Sequence, residues 1–172
     1  DESGRVILFV VKESGALIVV KVIQCHQQQI CGITLNYNAK EMTIGGNDNS
    51  CTIWDIENIK QPTLKFHLPH QAAVKAIAYC PWSKSLLATG GGSKDRTIRF
   101  WHTPTGTLLK SHKTKGQITS LTWSKNRREI AATFGFGDSE EPVFLSIFSY
   151  PELETIEESP SVCNLRALSV AL

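Results

Sequence analysis

Four side chains in one stretch of the sequence combine an imidazole, a hydroxyl, a carboxylate and an indole: His70, Thr89, Asp95 and Trp101. An Asp that orients a His ring, with Ser93 or Ser120 as the nucleophile, would resemble a hydrolase triad. The same four residue types also suit a structural role, because a buried indole N–H and a buried imidazole both need hydrogen-bond partners. Their spacing within a repeat favours the structural role, so we predict that the protein is not an enzyme.

The segments around these residues are repeated along the chain. Strand-like runs begin at Ile30, Val74 and Ile118, which are 44 residues apart. The first two runs lead through paired glycines and an Asp to a tryptophan, at Trp54 and Trp101. A period in the forties, with short strands and a glycine-rich turn before a Trp, is the signature of WD-repeat propeller blades.

The repeat predicts an all-β fold, a WD40 β-propeller. Because a closed propeller needs about four to eight blades, the chain is expected to be part of a ring, with about three full blades plus edge strands. Fourteen strand-like runs are predicted, the last at 153–157. All of 1–172 is assigned to one domain, with blade-like units at about 27–68, 70–111 and 114–157 and partial blades at 1–24 and 158–172.

The polar chain of His, Thr, Asp and Trp is expected to be complete only in the second unit. In the first unit Asp48 and Trp54 hold corresponding positions, but the segment aligned with His70 is interpreted as containing Gln instead of His. The third unit has Phe148 in place of Trp, and residues 138–142 are expected to loosen its turn. We therefore expect the first and third units to be held more by apolar packing than by the polar chain.

Composition excludes several classes of function. A net charge of +2, from 18 basic and 16 acidic residues, gives no reason to expect a nucleic-acid or membrane surface. The basic residues Arg96 and Arg99, like Lys113 and Lys115, read as isolated pairs. The five cysteines form no Cys-x-x-Cys pair, which indicates a reducing compartment without disulfides.

No cofactor or metal is predicted. The run 90–94 resembles a phosphate loop only superficially, because a strand rather than a helix follows it. The adjacent pair Cys25 and His26 lacks a second pair of ligands at metal-binding spacing.

Parts of the sequence resemble a known family in more detail. The runs 74–82 and 87–101 look like the signature of the fizzy and fizzy-related activators of the anaphase-promoting complex, and three shorter runs, 45–49, 116–124 and 166–169, are similar to neighbouring parts of that family. Residues 134–138 and 149–151 are most similar to its fungal, meiosis-specific branch.

The resemblance implies a seven-bladed propeller, of which this chain would supply the end of the third blade, blades four to six and the first strand of the seventh. It implies a non-catalytic adaptor, working in the cell cycle, meiosis or sporulation, that brings substrates with KEN-box or D-box degrons to a ubiquitin ligase. The expected partners are subunits of the anaphase-promoting complex and those substrates, in the nucleus and cytoplasm. The D-box groove and ligase-docking segments of the family are expected to lie outside this chain.

The resemblance also implies a degron-binding site in the loops. A KEN peptide presents a cation, a carboxylate and an amide, which Arg and amide side chains can bind. The alternative for the asparagines is a role as turn formers, since Asn tolerates left-handed backbone. The alternative for the whole chain is a WD40 scaffold of an unrelated intracellular assembly. The expected degron-binding residues are Asn47, Asn49, Ser93, Gln117 and Arg166.

Overall fold

The computed structural model describes residues 1–135 and 143–160, and the regular secondary structure in these residues consists of β-strands alone. This part of the chain contains no helix long and apolar enough to span a membrane. The strands are β1 (Arg5–Val11), β2 (Leu17–Gln24), β3 (Ile30–Leu35), β4 (Glu41–Gly46), β5 (Ser50–Asp55), β6 (Thr63–Pro69), β7 (Val74–Tyr79), β8 (Leu86–Gly91), β9 (Thr97–His102), β10 (Thr107–Lys113), β11 (Ile118–Trp123), β12 (Glu129–Phe134), β13 (Val143–Ser149) and β14 (Thr155–Pro160).

The strands form three four-stranded antiparallel sheets and one ribbon. The ribbon pairs β1 with β2, and the sheets follow chain order as β3–β6, β7–β10 and β11–β14, called here the first, second and third sheets. The chain passes from each sheet to the next at the same end, which also carries the β4–β5 and β8–β9 turns. We call this the linker end and the opposite one the far end. The prediction of an all-β fold is confirmed.

The last strand lies later in the chain than the prediction of 153–157. Leu153 does not belong to a strand. Its side chain is buried, its backbone has a positive φ of 65°, and its N–H donates to the carbonyl of Ser149 at 3.1 Å. The apolar character of Leu153 thus reflects a side chain that a turn folds into the core, and pairing with β13 begins only at Thr155.

Neighbouring sheets pack closely because glycines line the contact. A Cβ atom on Gly45 would lie 2.1 Å from the carbonyl oxygen of Val74, and one on Gly90 would lie 2.5 Å from the Cγ2 atom of Ile118. Real Cβ atoms do not approach other atoms this closely. The inner strands β7 and β11 can therefore lie against the preceding sheet only because these positions have no side chain.

The apolar core is divided into three layers, each between two neighbouring units. One layer joins the ribbon to the first sheet and includes Ile23 and Ile44. A second joins the first and second sheets, and includes Ile53 and Trp101. The largest joins the second and third sheets around Phe100. The core therefore lies between neighbouring units, as it does between propeller blades.

Aromatic rings connect the second and third sheets near the far end. The Trp123 indole donates to the carbonyl of Ala78 at 3.1 Å, and the Trp82 indole donates to the carbonyl of Ser124 at 3.2 Å. Trp123 also packs edge-on against Trp82 and Phe100, with ring centroids 5.4 and 5.9 Å apart. Both indole N–H groups thus donate across the contact between the two sheets and help to hold the sheets together.

We expect Phe100→Ala to lower the free energy of unfolding by about 3–5 kcal/mol, because it would leave a cavity in the largest core layer. The measurement is urea unfolding of the full-length protein that contains this chain. Phe144→Ala is the matched control, since Phe144 is 41% exposed, and it should change stability far less. Equal losses from the two variants would contradict the assignment of Phe100 to the core between the sheets.

Candidate functional site

In the second sheet, the four predicted residues form one hydrogen-bonded chain. Asp95 Oδ2 lies 2.6 Å from His70 Nδ1, and His70 Nε2 lies 2.8 Å from Thr89 Oγ1. The Trp101 indole donates to the same Thr89 oxygen at 2.8 Å. The arrangement is consistent with a neutral imidazole that donates from Nδ1 to Asp95 and accepts the Thr89 hydroxyl at Nε2.

Burial and hydrogen bonding set the charge states of this chain. Burial lowers the pKa of His70, as does nearby Arg99, while Asp95 opposes the shift. Burial alone would raise the pKa of Asp95, but hydrogen bonds from His70, the Thr97 hydroxyl and the Gln71 N–H hold it well below its usual range. The side chains therefore favour an ionised Asp beside a neutral His.

This geometry argues against the hydrolase alternative. A general base needs a ring nitrogen within reach of the nucleophile. Both nitrogens of His70 are already engaged, one by Asp95 and the other by Thr89. No ring nitrogen is left to activate Ser93 or Ser120.

The first sheet has its own polar chain, and the prediction that Gln replaces His there is wrong. His26 Nδ1 lies 2.8 Å from Asp48 Oδ1, and His26 Nε2 lies 3.0 Å from Thr52 Oγ1. The Trp54 indole donates to Thr52 Oγ1 at 3.0 Å. His26 precedes His70 by 44 residues, the same interval that relates the inner strands. The premise for expecting this sheet to be held more by apolar packing than by the polar chain, the absence of the His, is therefore wrong.

The two chains take their hydroxyl from different strands. Thr89 belongs to β8, the second strand of its sheet, whereas Thr52 belongs to β5, the third strand of its sheet. When the two sheets are aligned by strand register, Ile44 of the first sheet corresponds to Thr89 of the second. In the same alignment, Thr52 of the first sheet corresponds to Arg99 of the second. The oxygen nevertheless serves the same two partners in both sheets, a His Nε2 and a Trp indole.

The third sheet is built differently in the part that the structure describes. Phe148 is buried and meets the His112 ring edge-on, with centroids 4.9 Å apart. Thr114, which follows His70 by 44 residues, bonds through its hydroxyl to the carbonyls of Arg96 and Gly116. A Phe ring has no N–H to satisfy, so this sheet does not need the acceptor that the other two provide.

Backbone hydrogen bonds fix the loops at the linker end. The Asn47 N–H donates to the carbonyl of Gln29 at 2.9 Å, and the His70 N–H donates to the carbonyl of Asn49 at 2.9 Å. The turn of the first sheet is thus held by the linker that enters that sheet and by the linker that leaves it.

The next turns are held in the same way. The Gly92 N–H donates to the carbonyl of Ala73 at 2.9 Å, and the Thr114 N–H donates to the carbonyl of Arg96 at 2.8 Å. The Gly135 N–H donates to the carbonyl of Gln117 at 2.8 Å. These bonds make the linker end a connected series of loops.

The predicted degron-binding residues within the described chain all lie in these loops. Asn47, Asn49 and Ser93 are exposed, and Gln117 is half-buried. Asn49 has a positive φ of 62°, which by itself accounts for an Asn at this position. Arg166 lies outside the described residues.

The structure also bears on metals and disulfides. Residues 1–135 and 143–160 contain no group of three His, Cys, Asp or Glu side chains that could hold a metal ion. Cys25, Cys31, Cys51 and Cys80 are free thiols. Burial raises the pKa of the Cys25 thiol to about 12 and that of Cys51 still further, so neither is a reactive thiolate.

The fold and the repeated polar chain define a WD40 propeller protein. The family described as "WD domain, G-beta repeat" matches residues 18–55 and 61–102. A chain in the crystal structure of the mitotic checkpoint complex superposes with a TM-score of 0.85 and 35% sequence identity, over 98% of this chain and 51% of that one.

Two curated relatives narrow the class to one family. The meiosis-specific APC/C activator protein AMA1 of Saccharomyces cerevisiae is 51% identical over 190 residues, which cover 100% of this chain and 32% of the relative. The anaphase-promoting complex subunit cdc20 of Dictyostelium discoideum is 40% identical over 155 residues, which cover 89% of this chain and 30% of the relative. The chain belongs to the fizzy family of WD-repeat proteins, and it spans about a third of the length of these relatives.

We expect Thr52→Val and Thr89→Val each to destabilise the protein by about 1–3 kcal/mol, because both remove the hydroxyl that bonds the Nε2 atom of a buried His ring and the indole N–H of a Trp. The measurement is the free energy of unfolding in urea. Thr63→Val, at an exposed position of β6, is the matched control. If Thr52→Val behaved like this control, the first sheet would not depend on its polar chain.

Stability is expected to fall between pH 7 and pH 5. Because the pKa of buried His70 is lowered, the unfolded chain takes up a proton near pH 6.5 that the folded chain resists. The depressed pKa of Asp95 adds a further loss only at lower pH, as the carboxylate becomes protonated in the unfolded chain.

The variant His70→Asn should be less stable at pH 7 but should lose less further stability by pH 5. Unfolding measured at both pH values checks this, with His67→Asn, at an exposed position of β6, as the control. An unchanged pH profile in His70→Asn would show that this imidazole is not the group responsible.

Proposed function

We propose that the protein containing this chain is a non-catalytic adaptor. It binds degron peptides at the linker end of its propeller and brings the substrate proteins that carry these degrons to the anaphase-promoting complex. The observation that carries the proposal is the placement of Asn47, Asn49, Ser93 and Gln117 in one connected series of loops. Support also comes from relatives named as an activator and a subunit of that complex.

The loop chemistry suits a KEN tripeptide. Exposed Asn47 and Asn49 offer amide donors and acceptors, which match the peptide amide and can accept from the lysine. The backbone carbonyl of Asn49 is occupied by the His70 N–H, so the side chain is the group left for a ligand. We assign to Arg166 the role of binding the carboxylate of the KEN glutamate, because a guanidinium can bind a carboxylate through two hydrogen bonds.

Gln117 is the best-positioned member of the set. Its backbone carbonyl is fixed by the Gly135 N–H at 2.8 Å. A Cβ atom on residue 135 would lie only 3.1 Å from the Oε1 atom of Gln117. Because residue 135 is a glycine, the side-chain amide has room at this position. A half-buried amide held in this way loses less side-chain freedom on binding than a fully exposed one does.

Ser93 contributes less than the other residues. Its backbone carbonyl accepts the Arg96 Nε–H at 2.7 Å, and its short hydroxyl stands in the exposed turn. We therefore assign Ser93 a single hydrogen bond to the peptide. Removing it should matter less than removing Gln117.

The finer assignments rest on the family. The 51% identity to AMA1, compared with 40% to the Dictyostelium relative, supports a meiotic role. D-box recognition and ligase docking are proposed for the whole protein, through regions of the relatives that this chain does not span. A location in the nucleus and cytoplasm is proposed on the same basis.

The test is binding of a fluorescent KEN peptide to the full-length protein and to the double variant Gln117→Ala with Arg166→Ala. We expect micromolar binding by the parent and a loss of about 1–3 kcal/mol in the variant, since both an amide and a charged contact disappear. A KEN peptide with all three residues changed to Ala should not bind.

The matched control is Asn126→Ala with Arg127→Ala, which removes an amide and a cation from exposed positions at the far end. This control should bind like the parent. An absence of parent binding, or equal binding by all three proteins, would contradict the proposed site.

A further inference from the structure

The carboxylates of the two polar chains differ in their exposure to solvent. The Asp48 side chain is 18% exposed, whereas the Asp95 side chain is 1% exposed. Both carboxylates bond to Nδ1 of their His, to a hydroxyl two residues later in the chain, and to the N–H of the residue after the His. Because these bonds are the same in the two sheets, they do not explain why Asp95 is the more buried of the two.

In the second sheet, a guanidinium lies against the carboxylate. Arg99 Nη2 lies 3.5 Å from Asp95 Oδ1, and Arg99 Nη1 donates to the carbonyl of Pro69, the residue before His70. The Arg99 side chain is itself only 15% exposed. One cation of this chain thus pairs with the Asp and also bonds to the backbone carbonyl that precedes the His.

The first sheet has a short side chain at the corresponding position. Thr52 corresponds to Arg99 by strand register. Its hydroxyl bonds to Nε2 of His26 and to the Trp54 indole, on the inner side of the polar chain. Thr52 therefore supplies the oxygen that the interior needs, but it supplies no cation to Asp48.

A groove of about 470 Å³ lies beside Asp48 at the linker end. Its lining includes Asp48 and Cys25, the counterparts of the two residues to which Arg99 bonds, since Cys25 precedes His26 as Pro69 precedes His70. The described residues that line the groove include no Lys or Arg. The groove thus lies where the first sheet would hold a guanidinium if it were built like the second.

Asp48 gives the groove a negative charge. Burial alone would raise the pKa of Asp48. Hydrogen bonds from the Gln27 N–H, from His26 and from the Ser50 hydroxyl outweigh burial and hold this pKa below its usual range. The ionised carboxylate favours a cation in the groove, and a planar guanidinium can pair with a carboxylate while it donates to a carbonyl.

The groove adjoins the candidate degron-binding residues. Asp48 stands between Asn47 and Asn49 in the β4–β5 turn, and both asparagines are exposed. The Asp48 side chain turns back toward the linker, where it accepts the Gln27 N–H at 2.9 Å. A peptide that contacts the two asparagines would therefore pass the rim of the groove.

We propose that this groove is a specificity subsite for an arginine side chain that flanks the KEN tripeptide in a degron peptide. The inference rests on the proposed function and deepens it by naming the class of flanking residue. The guanidinium of the peptide would lie against Asp48 as Arg99 lies against Asp95, so the second sheet provides the pattern for the contact.

The experiment measures binding of KEN peptides to the full-length protein. In one series, a single Arg is moved through the four positions on each side of the tripeptide. In a matched series, citrulline, which has nearly the same shape without the charge, replaces that Arg. At low ionic strength we expect Arg to bind about 3- to 10-fold more tightly than citrulline at one position or at two neighbouring ones, as for a partly exposed ion pair with an added hydrogen bond.

A double variant fills the groove from within the chain. Thr52→Arg supplies the guanidinium that the second sheet has, and Ile44→Thr places a hydroxyl at the position that corresponds to Thr89. This filled variant should bind the Arg and citrulline peptides with similar affinity. The matched control is Ile44→Thr with Thr52→Val, which moves the hydroxyl in the same way but leaves the groove unfilled, so it should keep the parental preference.

A single variant tests the charge separately. Asp48→Asn keeps the size of the side chain and removes its negative charge, so the preference for Arg should disappear while binding of the citrulline peptides should change little. Thermal melting of all three variants shows which of them are folded. Asp48→Asn also keeps the test decisive if the filled variant does not fold.

Failure of the proposed function and failure of this inference give different results. If no peptide of either series binds, the proposed function fails and this inference fails with it. If the peptides bind but no position favours Arg over citrulline, the KEN site stands and the groove is not a subsite. A preference for Arg that survives in the folded form of the filled variant or of Asp48→Asn would also overturn the inference, because the arginine would then bind elsewhere.

Discussion

A buried imidazole held between a carboxylate and a hydroxyl is the constraint on which the first two sheets depend. The His stands in the linker that enters the sheet, the Asp stands in the turn between the second and third strands, and the hydroxyl and indole lie in the interior. One chain of bonds therefore ties a linker to a turn and the turn to the core. The turns fixed in this way carry the exposed residues Asn47, Asn49 and Ser93. The buried polar interaction therefore determines the conformation of the exposed loops.

The sequence was sufficient to predict most of the architecture. Runs of β-branched and aromatic residues marked the strands, and the 44-residue interval marked the repeat, because each sheet must present the same apolar faces to its neighbours. The His70, Thr89, Asp95 and Trp101 set was recognisable because all four residue types stood together in one unit. The family resemblance implied that Asn47, Ser93 and Gln117 lie in loops, and the observed strand order puts these loops at one end of the sheets.

Other features could not be read from the sequence in the same way. His26 lies one 44-residue interval before His70, so the repeat itself pointed to it. It was missed because the start of the first unit was aligned incorrectly with the start of the second. Thr52 was beyond prediction, because nothing in a linear pattern says that a hydroxyl can come from the neighbouring strand. Leu153 looked like part of a strand because turn residues that fold into the core are also apolar.

The threonine that bonds to the His and the Trp lies on different strands in the first and second sheets, and this difference constrains how such repeats can diverge in sequence. One sheet keeps threonine on its second strand, and the other keeps it on its third, while the His and Trp around the oxygen remain in place. Moving from one state to the other takes two substitutions. If the old threonine were lost first, the His ring and the indole would both lose their hydroxyl partner, at a cost of about 1–3 kcal/mol. A path on which both strands carry threonine for a time avoids this cost, so a repeat with two threonines is the intermediate from which each sheet could lose a different one.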